Sequence, residues 1–263
     1  MSILSPKEIV SYATEAAIVK GRYSIKKTLI LSFLAGVYIA MGGALSILFG
    51  YGFPALSASS PALTKMLMGA AFPIGLMLVV LAGGELFTGN CAYFIPSTMG
   101  KRQPWKYAFK NWTLVWCGNF IGALFFAYFL VYLPGILHYE PWISGIEKIA
   151  VSKTSHTFFV TFLKGVGANW MVCLAMWMGM SAKDTMGKIA GIWWIVMAFV
   201  ALSYEHCIAN MFFIPMAMFE GADISMYDLF IKNLLPATLG NIAGGAIFVG
   251  GFYWYAYEKL DKK

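Results

Sequence analysis

Six long apolar stretches dominate this sequence, and each is long enough to cross a lipid bilayer. A helix needs about 20 predominantly apolar residues to span the hydrocarbon core. Because no water is available there to satisfy backbone amides and carbonyls, spans of this length have to be helical. The stretches are apolar on all faces, which argues against a soluble helical bundle. They lie at roughly 29–49, 65–83 with an extension to about 98, 108–133, 157–180, 188–219 with an interruption, and 234–257.

The composition agrees with this assignment. Hydrophobic residues make up 60% of the chain and charged residues 12%, whereas a soluble domain is about half apolar and about a quarter charged. We therefore predict an all-α membrane protein with a single transmembrane domain over residues 29–257. Residues 1–28 are predicted to form an amphipathic helix on the cytoplasmic surface, with Ser5 and Glu8 placed to cap its first turn, and residues 258–263 a cytoplasmic tail.

The basic residues are distributed unevenly between the two sides of the membrane. Of the 19 lysines and arginines, 14 fall in segments on one side, and Lys164 lies inside a span. Since positively charged segments remain in the cytoplasm, both termini are predicted to be cytoplasmic in a multi-pass protein of the cell membrane. The net charge of +7 reflects this bias, so it gives no reason to expect a nucleic-acid partner. The four on the other side are Lys65, Lys148, Lys153 and Lys232.

The sequence offers no candidate metal or cofactor site. The four cysteines fall within or beside spans, and none forms the close pair that would predict a zinc site or a disulfide framework. One histidine inside a span, with carboxylates nearby, supplies too few metal ligands. Neither a bound cofactor nor the clustered nucleophiles and bases of a membrane enzyme are predicted.

Two parts of the chain repeat the same pattern. A glutamate and an asparagine stand five residues apart at Glu85 and Asn90, and again at Glu205 and Asn210. An aromatic pair followed by Ile-Pro comes next in both segments. Agreement of several motifs in one order indicates two related halves. The further matching segments are Lys110-Asn111 with Lys232-Asn233, Gly118-Asn119 with Gly240-Asn241, and Leu34–Val37 with Leu163–Val166.

Each half, at about 29–133 and 157–257, contains three spans, so the two halves must cross the membrane in opposite orientations. Inverted repeats of this kind are typical of transporters and channels, with the solute site near the midplane. The second and fifth spans are interrupted by polar groups at 82–85 and 203–206. Such groups are costly in lipid. We therefore predict that helices 2 and 5 are broken and that their irregular backbone lines a solute pathway.

Two side chains at the breaks are the leading candidates for contact with a solute. His206 is the one histidine inside a span, and an imidazole can donate, accept or change charge near neutral pH. The alternative is a structural histidine held by neighbouring helices. Thr88 lies at the break of the first half, where its hydroxyl can bond an oxyanion or the imidazole. The alternative for Thr88 is a hydrogen bond back to its own helix.

The other polar and charged residues near the breaks are expected to have different roles. Glu85 and Glu205 are expected to be structural, accepting N–H bonds from their own loops, because a carboxylate facing the pathway would repel anions. Asn90 and Asn210 are predicted to be loop anchors. For Lys164, one interpretation is a side chain that extends to the nearer membrane–water interface. The other is a positive charge that attracts anions on the outer side.

Three segments closely resemble the signatures of the formate–nitrite transporter family: Tyr204–Met211, Glu85–Thr88 and Ala168–Leu174. The resemblance covers nearly the whole chain. It implies an aquaporin-like protomer of six helices, assembled as a homopentamer in the bilayer, with a separate pore through each protomer.

The resemblance also implies roles for individual residues, whose spacing alone would mark most of them as ordinary core. Thr88, His206 and Asn169 would lie on the substrate pathway, between two apolar constrictions. The outer constriction would be formed by Phe72, Leu76 and Phe199, and the inner one by Leu86, Phe87 and Val172. The implied lysines of the outer vestibule are Lys153 and Lys164.

The expected function is therefore passage of a small monovalent anion of a weak acid, with formate first. Transport is expected to depend on pH, with proton co-movement through His206. Nitrite and hydrosulfide are alternatives within the family. A neutral-solute channel of aquaporin type is the alternative from another class, although the two Asn-Pro-Ala loops expected for it are absent.

Overall fold

A computed structural model describes residues 3–261, so the last residues of the predicted tail, Lys262 and Lys263, lie outside the described part. All of the regular structure in that range is helical apart from an isolated backbone bridge between Ile3 and Ala182. In chain order the helices are α1 (Pro6–Gly21), α2 (Ile25–Tyr51), α3 (Pro54–Ser59), α4 (Pro61–Gly83), α5 (Phe87–Met99), α6 (Trp105–Tyr132), α7 (Trp142–Ser155), α8 (Phe158–Ser181), α9 (Thr185–Ala201), α10 (Cys207–Phe219) and α11 (Asp228–Lys259).

Six spans cross the bilayer, and the second and fifth are each made of two helices end to end. Five helices, α2, α4, α6, α8 and α11, are long and apolar enough to span by themselves. The fifth span is formed by the shorter apolar helices α9 and α10. Helix α5 continues the second span beyond its break. The prediction of six spans with breaks in the second and fifth is confirmed.

Both breaks are made by a residue with a positive φ angle at the same position of the repeat. Helix α4 ends at Gly83, whose φ is 90°, and the corresponding Ser203 after α9 has a φ of 55°. The left-handed region is open to glycine at little steric cost and is uncommon for other residues. The chain then runs extended through Gly84 before α5 begins. The same turn is thus built with glycine in one half and serine in the other.

Hydrogen bonds across the first span of each half define the register of the repeat. The backbone N–H of Glu85 donates to the carbonyl of Leu31 at 3.1 Å, and that of Glu205 donates to the carbonyl of Lys164 at 3.4 Å. Leu31 and Lys164 are therefore equivalent. The sequence match of Leu34–Val37 with Leu163–Val166 was displaced by one helical turn and is wrong in register. Small residues recur along both helices, so sequence similarity alone did not distinguish neighbouring turns.

Helix α1 packs against the membrane domain instead of lying free on its surface. Ser5 and Glu8 form the predicted reciprocal cap at its start. Its Val10, Ala13 and Ala17 are fully buried, and α1 contacts α5. The register that relates Leu31 to Lys164 also relates Lys20 of α1 to Lys153 of α7. The two amphipathic helices thus occupy equivalent places on opposite sides of the membrane.

Glycines bring the first and third spans of each half into close contact. A Cβ atom at Gly122 would lie 2.1 Å from the carbonyl oxygen of Phe33, and one at Gly244 would lie 2.3 Å from that of Val166. Small residues are the usual means by which membrane helices approach each other. These two contacts fix the relative positions of the first and third spans, against which the broken helices pack.

Replacing either crossing glycine by alanine is expected to force the helices apart. Overpacking of this kind costs about 1–3 kcal/mol, so Gly122→Ala and Gly244→Ala should lower the thermal unfolding midpoint of the detergent-solubilised protein. Gly179→Ala is the matched control, because the nearest atom to its Cβ would be the flexible Cδ1 of Ile192 at 3.3 Å, with no backbone atom among the nearest contacts. Equal midpoints for all three variants would contradict this account of the crossings.

Candidate functional site

The two broken helices meet at a hydrogen bond between Thr88 and His206. Thr88 lies in the first turn of α5, and His206 precedes the first residue of α10. The Thr88 Oγ1 and His206 Nε2 atoms are 2.9 Å apart. Both side chains are almost completely buried, 0% and 2% exposed. The structure thus brings together the two residues that the sequence singled out at the breaks.

His206 also caps α10, and this fixes the state of its ring. Its Nδ1 atom accepts the backbone N–H of Ala209 at 3.1 Å. An imidazole nitrogen that accepts carries no proton, so the proton of the neutral ring is assigned to Nε2. The ring then donates to the Thr88 oxygen, and the hydroxyl proton of Thr88 remains available to another acceptor. A proton on Nδ1 would displace the Ala209 N–H and remove the cap.

Glu85 lies at the centre of a buried polar cluster on the side of the two termini, which we call the inner side. Its carboxylate accepts from Asn90 Nδ2 at 2.7 Å and from Asn111 Nδ2 at 3.4 Å, and it forms an ion pair with Lys20 of α1. Asn90 donates in addition to Asn111 Oδ1 at 2.8 Å. The side chain is 3% exposed. Its partners are side chains of α1, α5 and α6, whereas the sequence analysis expected backbone N–H groups of its own loop.

The outer half repeats this cluster around Glu205. Its carboxylate accepts from Asn210 Nδ2 at 2.7 Å, from Asn233 Nδ2 at 3.2 Å and from Lys153 Nζ at 3.1 Å. Asn210 donates to Asn233 Oδ1 at 2.7 Å. The charge of Lys153 is therefore largely neutralised by Glu205, and Lys153 adds little net positive charge to the outer side.

Two further asparagines clamp the unwound backbone, one in each half. Asn119 accepts the N–H of Phe87 at 2.9 Å and donates to the carbonyls of Ser32 and Glu85 at 2.7 and 2.9 Å. Asn241 accepts the N–H of Cys207 at 2.8 Å and donates to the carbonyls of Gly165 and Glu205 at 2.8 and 2.9 Å. Each side chain thus satisfies one N–H and one carbonyl of the break and ties them to a carbonyl of the first span of its half.

Sequence reasoning did not select these asparagines, nor Lys20, as site residues. The signal for the asparagines was present, since Asn111, Asn119, Asn233 and Asn241 all belong to the matching segments of the repeat. Lys20 could have been found from its equivalence to Lys153, but the first spans had been paired in the wrong register.

Asn169 joins the two halves rather than lining open space. Its Nδ2 donates to the carbonyl of Thr88 at 3.0 Å and to that of Asn241 at 2.6 Å. The thiol of Cys173 also donates to the Thr88 carbonyl at 3.4 Å. The amide nitrogen of Asn169 is therefore committed to backbone carbonyls, and its contribution is to hold Thr88 in position.

Two cavities approach the central pair from opposite sides. The outer cavity, of about 500 Å³, reaches His206 and is lined by Phe72, Phe199 and Phe213. The Phe72 and Phe199 rings meet edge to face with centroids 5.8 Å apart, and Phe213 stacks on Phe72 at 6.4 Å. The inner cavity, of about 310 Å³, is lined by residues that include Lys20 and Glu85.

The remaining constriction candidates, Leu76, Leu86, Phe87 and Val172, line neither cavity and are at most 2% exposed. Along α4, Leu76 falls between Phe72, which lines the outer cavity, and Val79, which lines the inner one. We refer to these four buried apolar residues as the partition. Phe213 was not among the candidates, although it is the outer counterpart of Tyr93, which lines the inner cavity.

Lys164 lines the outer cavity, which is the placement required for attracting anions, the alternative being a side chain that extends to the nearer membrane interface. Its Nζ lies 2.7 Å from His156 Nε2. Burial, followed by the nearby Lys164 ammonium, lowers the pKa of His156. His156 is consequently neutral at pH 7, and its Nε2 accepts from the Lys164 ammonium.

Within residues 3–261, no group of histidine, cysteine, aspartate or glutamate side chains is arranged to hold a metal ion. Cys91, Cys173 and Cys207 are buried as free thiols.

Comparison with known proteins identifies the family. The family model described as "Formate/nitrite transporter" matches residues 7–255. The chain belongs to the formate/nitrite transporter family. Membership makes it a membrane transport protein and not an enzyme.

Relatives and solved structures agree with this membership. A probable formate transporter of Methanothermobacter thermautotrophicus is 43% identical over 98% of both chains. The structure of an "FNT family ion channel" superposes with a TM-score of 0.87 at 31% identity, covering 95% of this chain and 98% of that one. A "pentameric formate channel with formate bound" gives a TM-score of 0.77 at 33% identity, covering 89% and 97%.

Removing either clamping asparagine should destabilise the protein strongly. Asn119→Ala and Asn241→Ala each leave one N–H and two carbonyls without their side-chain partner. An unsatisfied buried group costs about 1–3 kcal/mol, so we expect a loss of about 3 kcal/mol or more in each case. Thermal unfolding measured by scanning fluorimetry tests this.

The control for these variants is Ser181→Ala, which removes one hydrogen bond of 3.3 Å to the carbonyl of Leu4 on the side of the termini. Its midpoint should stay close to that of the wild type. If Asn241→Ala were no less stable than Ser181→Ala, the clamp would not be a main support of the break.

Proposed function

We propose that this chain is a channel for small monovalent anions of weak acids, with formate as the main solute. The observation that supports this best is the buried Thr88–His206 hydrogen bond, which lies in an apolar partition between two cavities that each contain lysines. The formate bound in a solved relative lends further support.

The energetics of the partition favour a weak acid. Moving a carboxylate-sized ion into a dry medium costs on the order of 20 kcal/mol in the Born limit, and several after relaxation. A small carboxylic acid has a pKa of roughly 3.5, so its protonation at pH 7 costs about 5 kcal/mol. The acid therefore crosses the partition more readily as the neutral species. An anion that cannot be protonated lacks this route.

Thr88 and His206 would hold the solute through one hydroxyl and one ring N–H. In the structure the ring donates Nε2–H to Thr88, so the hydroxyl of Thr88 is free to donate a hydrogen bond to an arriving carboxylate. The ring N–H can donate a second hydrogen bond once it turns from Thr88 to the solute. Both donors are complementary to the two oxygens of formate. Hydrogen bonds to a charged partner are worth about 1.5–3 kcal/mol each.

Proton co-movement through His206 places a specific demand on the ring. If Nε2 gives its proton to the solute, Nδ1 must gain one, and the ring then becomes the other neutral tautomer. Because Nδ1 accepts the Ala209 N–H, this exchange requires the cap of α10 to open. Low pH supplies the proton and favours neutral acid, whereas high pH favours the anion or no transport.

The assembly and orientation proposed are a homopentamer in the cytoplasmic membrane, with both termini in the cytoplasm. The pentameric state of a solved relative supports the first statement. The excess of lysine and arginine on the side of the termini supports the second. Each protomer would then contain its own complete pathway.

Transport by purified protein in liposomes tests the solute. We expect formate uptake that exceeds lactate uptake and changes between pH 5 and pH 7.5, with no flux of glycerol. Larger uptake of nitrite or hydrosulfide would reassign the solute within the family. Glycerol flux without uptake of any of these weak acids would overturn the proposed function and indicate a neutral-solute channel.

A pair of substitutions separates the two roles of His206. Asparagine is a good helix cap but does not reach Thr88, so His206→Asn should preserve folding. We expect formate flux to fall about 10- to 100-fold, as for the loss of one hydrogen bond to a charged partner. Its pH dependence should become flatter. His206→Ala should lose thermal stability as well, because α10 then has no cap.

If His206→Asn kept both the wild-type flux and its pH profile, the ring would have no part in transport. Thr88→Ser is the matched control at the other side of the hydrogen bond. It retains the hydroxyl and is expected to retain flux.

A further inference from the structure

The outer cavity contains more positive charge than a monovalent solute requires. It is lined by the carboxylate of Glu205 and by four lysines, which are Lys65, Lys148, Lys153 and Lys164. Glu205 is paired with Lys153 at 3.1 Å. Among the described residues, the other three lysines form no ion pair, and the Lys164 ammonium lies 2.7 Å from Nε2 of the neutral His156. Three positive charges are thus left uncompensated around one space.

The same cavity also contains a hydroxyl without a partner. The Thr64 hydroxyl lines the cavity, belongs to a side chain that is 9% exposed, and has no hydrogen-bond partner within the described part of the chain. Native proteins satisfy most buried polar atoms, so an unpaired hydroxyl beside a basic cavity indicates room for an acceptor. At about 500 Å³ the cavity lies in the size range of small-molecule sites, about 300–1,000 Å³.

The inner cavity does not share this property. It is lined by two lysines, Lys20 and Lys188, and Lys20 is paired with Glu85. It therefore holds one uncompensated charge where the outer cavity holds three, in a volume of about 310 Å³. The two halves of the repeat match in their polar clusters, but the outer and inner cavities differ in their net positive charge.

We infer that the outer cavity is a binding site for polyvalent oxyanions, of the class of di- and tricarboxylates, which occupy it from the outside and block the pathway. Such an anion matches the three lysines with two or three negative charges. It does not cross the partition at Phe72 and Phe199, because every additional carboxylate would also have to be protonated. The ligand thus binds where the solute enters and is not itself transported.

Citrate is the probe, and gluconate is the control of similar size with a single carboxylate. Formate flux is measured in proteoliposomes of known orientation, with either salt at matched ionic strength on one face. We expect citrate to inhibit from the face opposite to the termini and to have little effect from the other face. Gluconate should inhibit from neither. Binding of citrate to the purified full-length protein is measured in parallel by calorimetry.

The variants are chosen outside the proposed pathway residues. Lys65→Gln combined with Lys148→Gln should raise both the half-inhibitory concentration and the dissociation constant of citrate about tenfold. Each exposed ion pair between a lysine and a citrate carboxylate contributes about threefold to this change. The inhibition by citrate is expressed relative to the formate flux of each variant in the absence of citrate. The charge-matched control is Lys106→Gln combined with Lys110→Gln, on exposed positions of the opposite side.

Citrate inhibition that was equal from both faces, or unchanged in the Lys65 and Lys148 variant, would overturn the inference. Absence of citrate binding in the calorimeter would do the same. The calorimetric measurement does not depend on which solute is transported, so failure of the proposed formate function leaves this test intact.

Discussion

The need to satisfy backbone groups exposed in the middle of a membrane governs this structure. Each broken helix frees N–H and carbonyl groups where no bulk water can bond them, and each such group costs several kcal/mol in hydrocarbon. Asn119 and Asn241 each satisfy one N–H and one carbonyl of a break and bond a carbonyl of the neighbouring first span. Once the breaks are held in this way, α5 and α10 can begin inside the bilayer and bring Thr88 to His206.

The buried ion pairs add rigidity to the same framework. Glu85 with Lys20 and Glu205 with Lys153 are enclosed by asparagine amides that occupy further acceptor sites of each carboxylate. Removing one member of such a pair is strongly destabilising, since the other charge is left buried and unpaired. The lysines come from α1 and α7, so both amphipathic helices are integral parts of their halves.

Much of this architecture could be predicted from the sequence. Span length, the repeated glutamate and asparagine pairs and the odd number of spans were sufficient for six helices, two breaks and opposite orientations. The register of the first spans was not predictable, because small residues recur along those helices and the hydrogen bonds to Leu31 and Lys164 are visible only in three dimensions. The partnership of His206 Nδ1 with the Ala209 N–H was hidden for a similar reason, since histidine is not among the residues usually found as helix caps.

One imidazole therefore serves two tasks through its two nitrogens. Nε2 faces the meeting point of the halves, while Nδ1 holds the first turn of α10. A proton that binds Nδ1 changes the charge of the ring and also breaks the cap of α10, because it competes with the Ala209 N–H for the same lone pair. As long as this residue is histidine, the start of α10 and the occupancy of the centre of the pathway are coupled, and only a shorter side chain that still caps the helix can separate them.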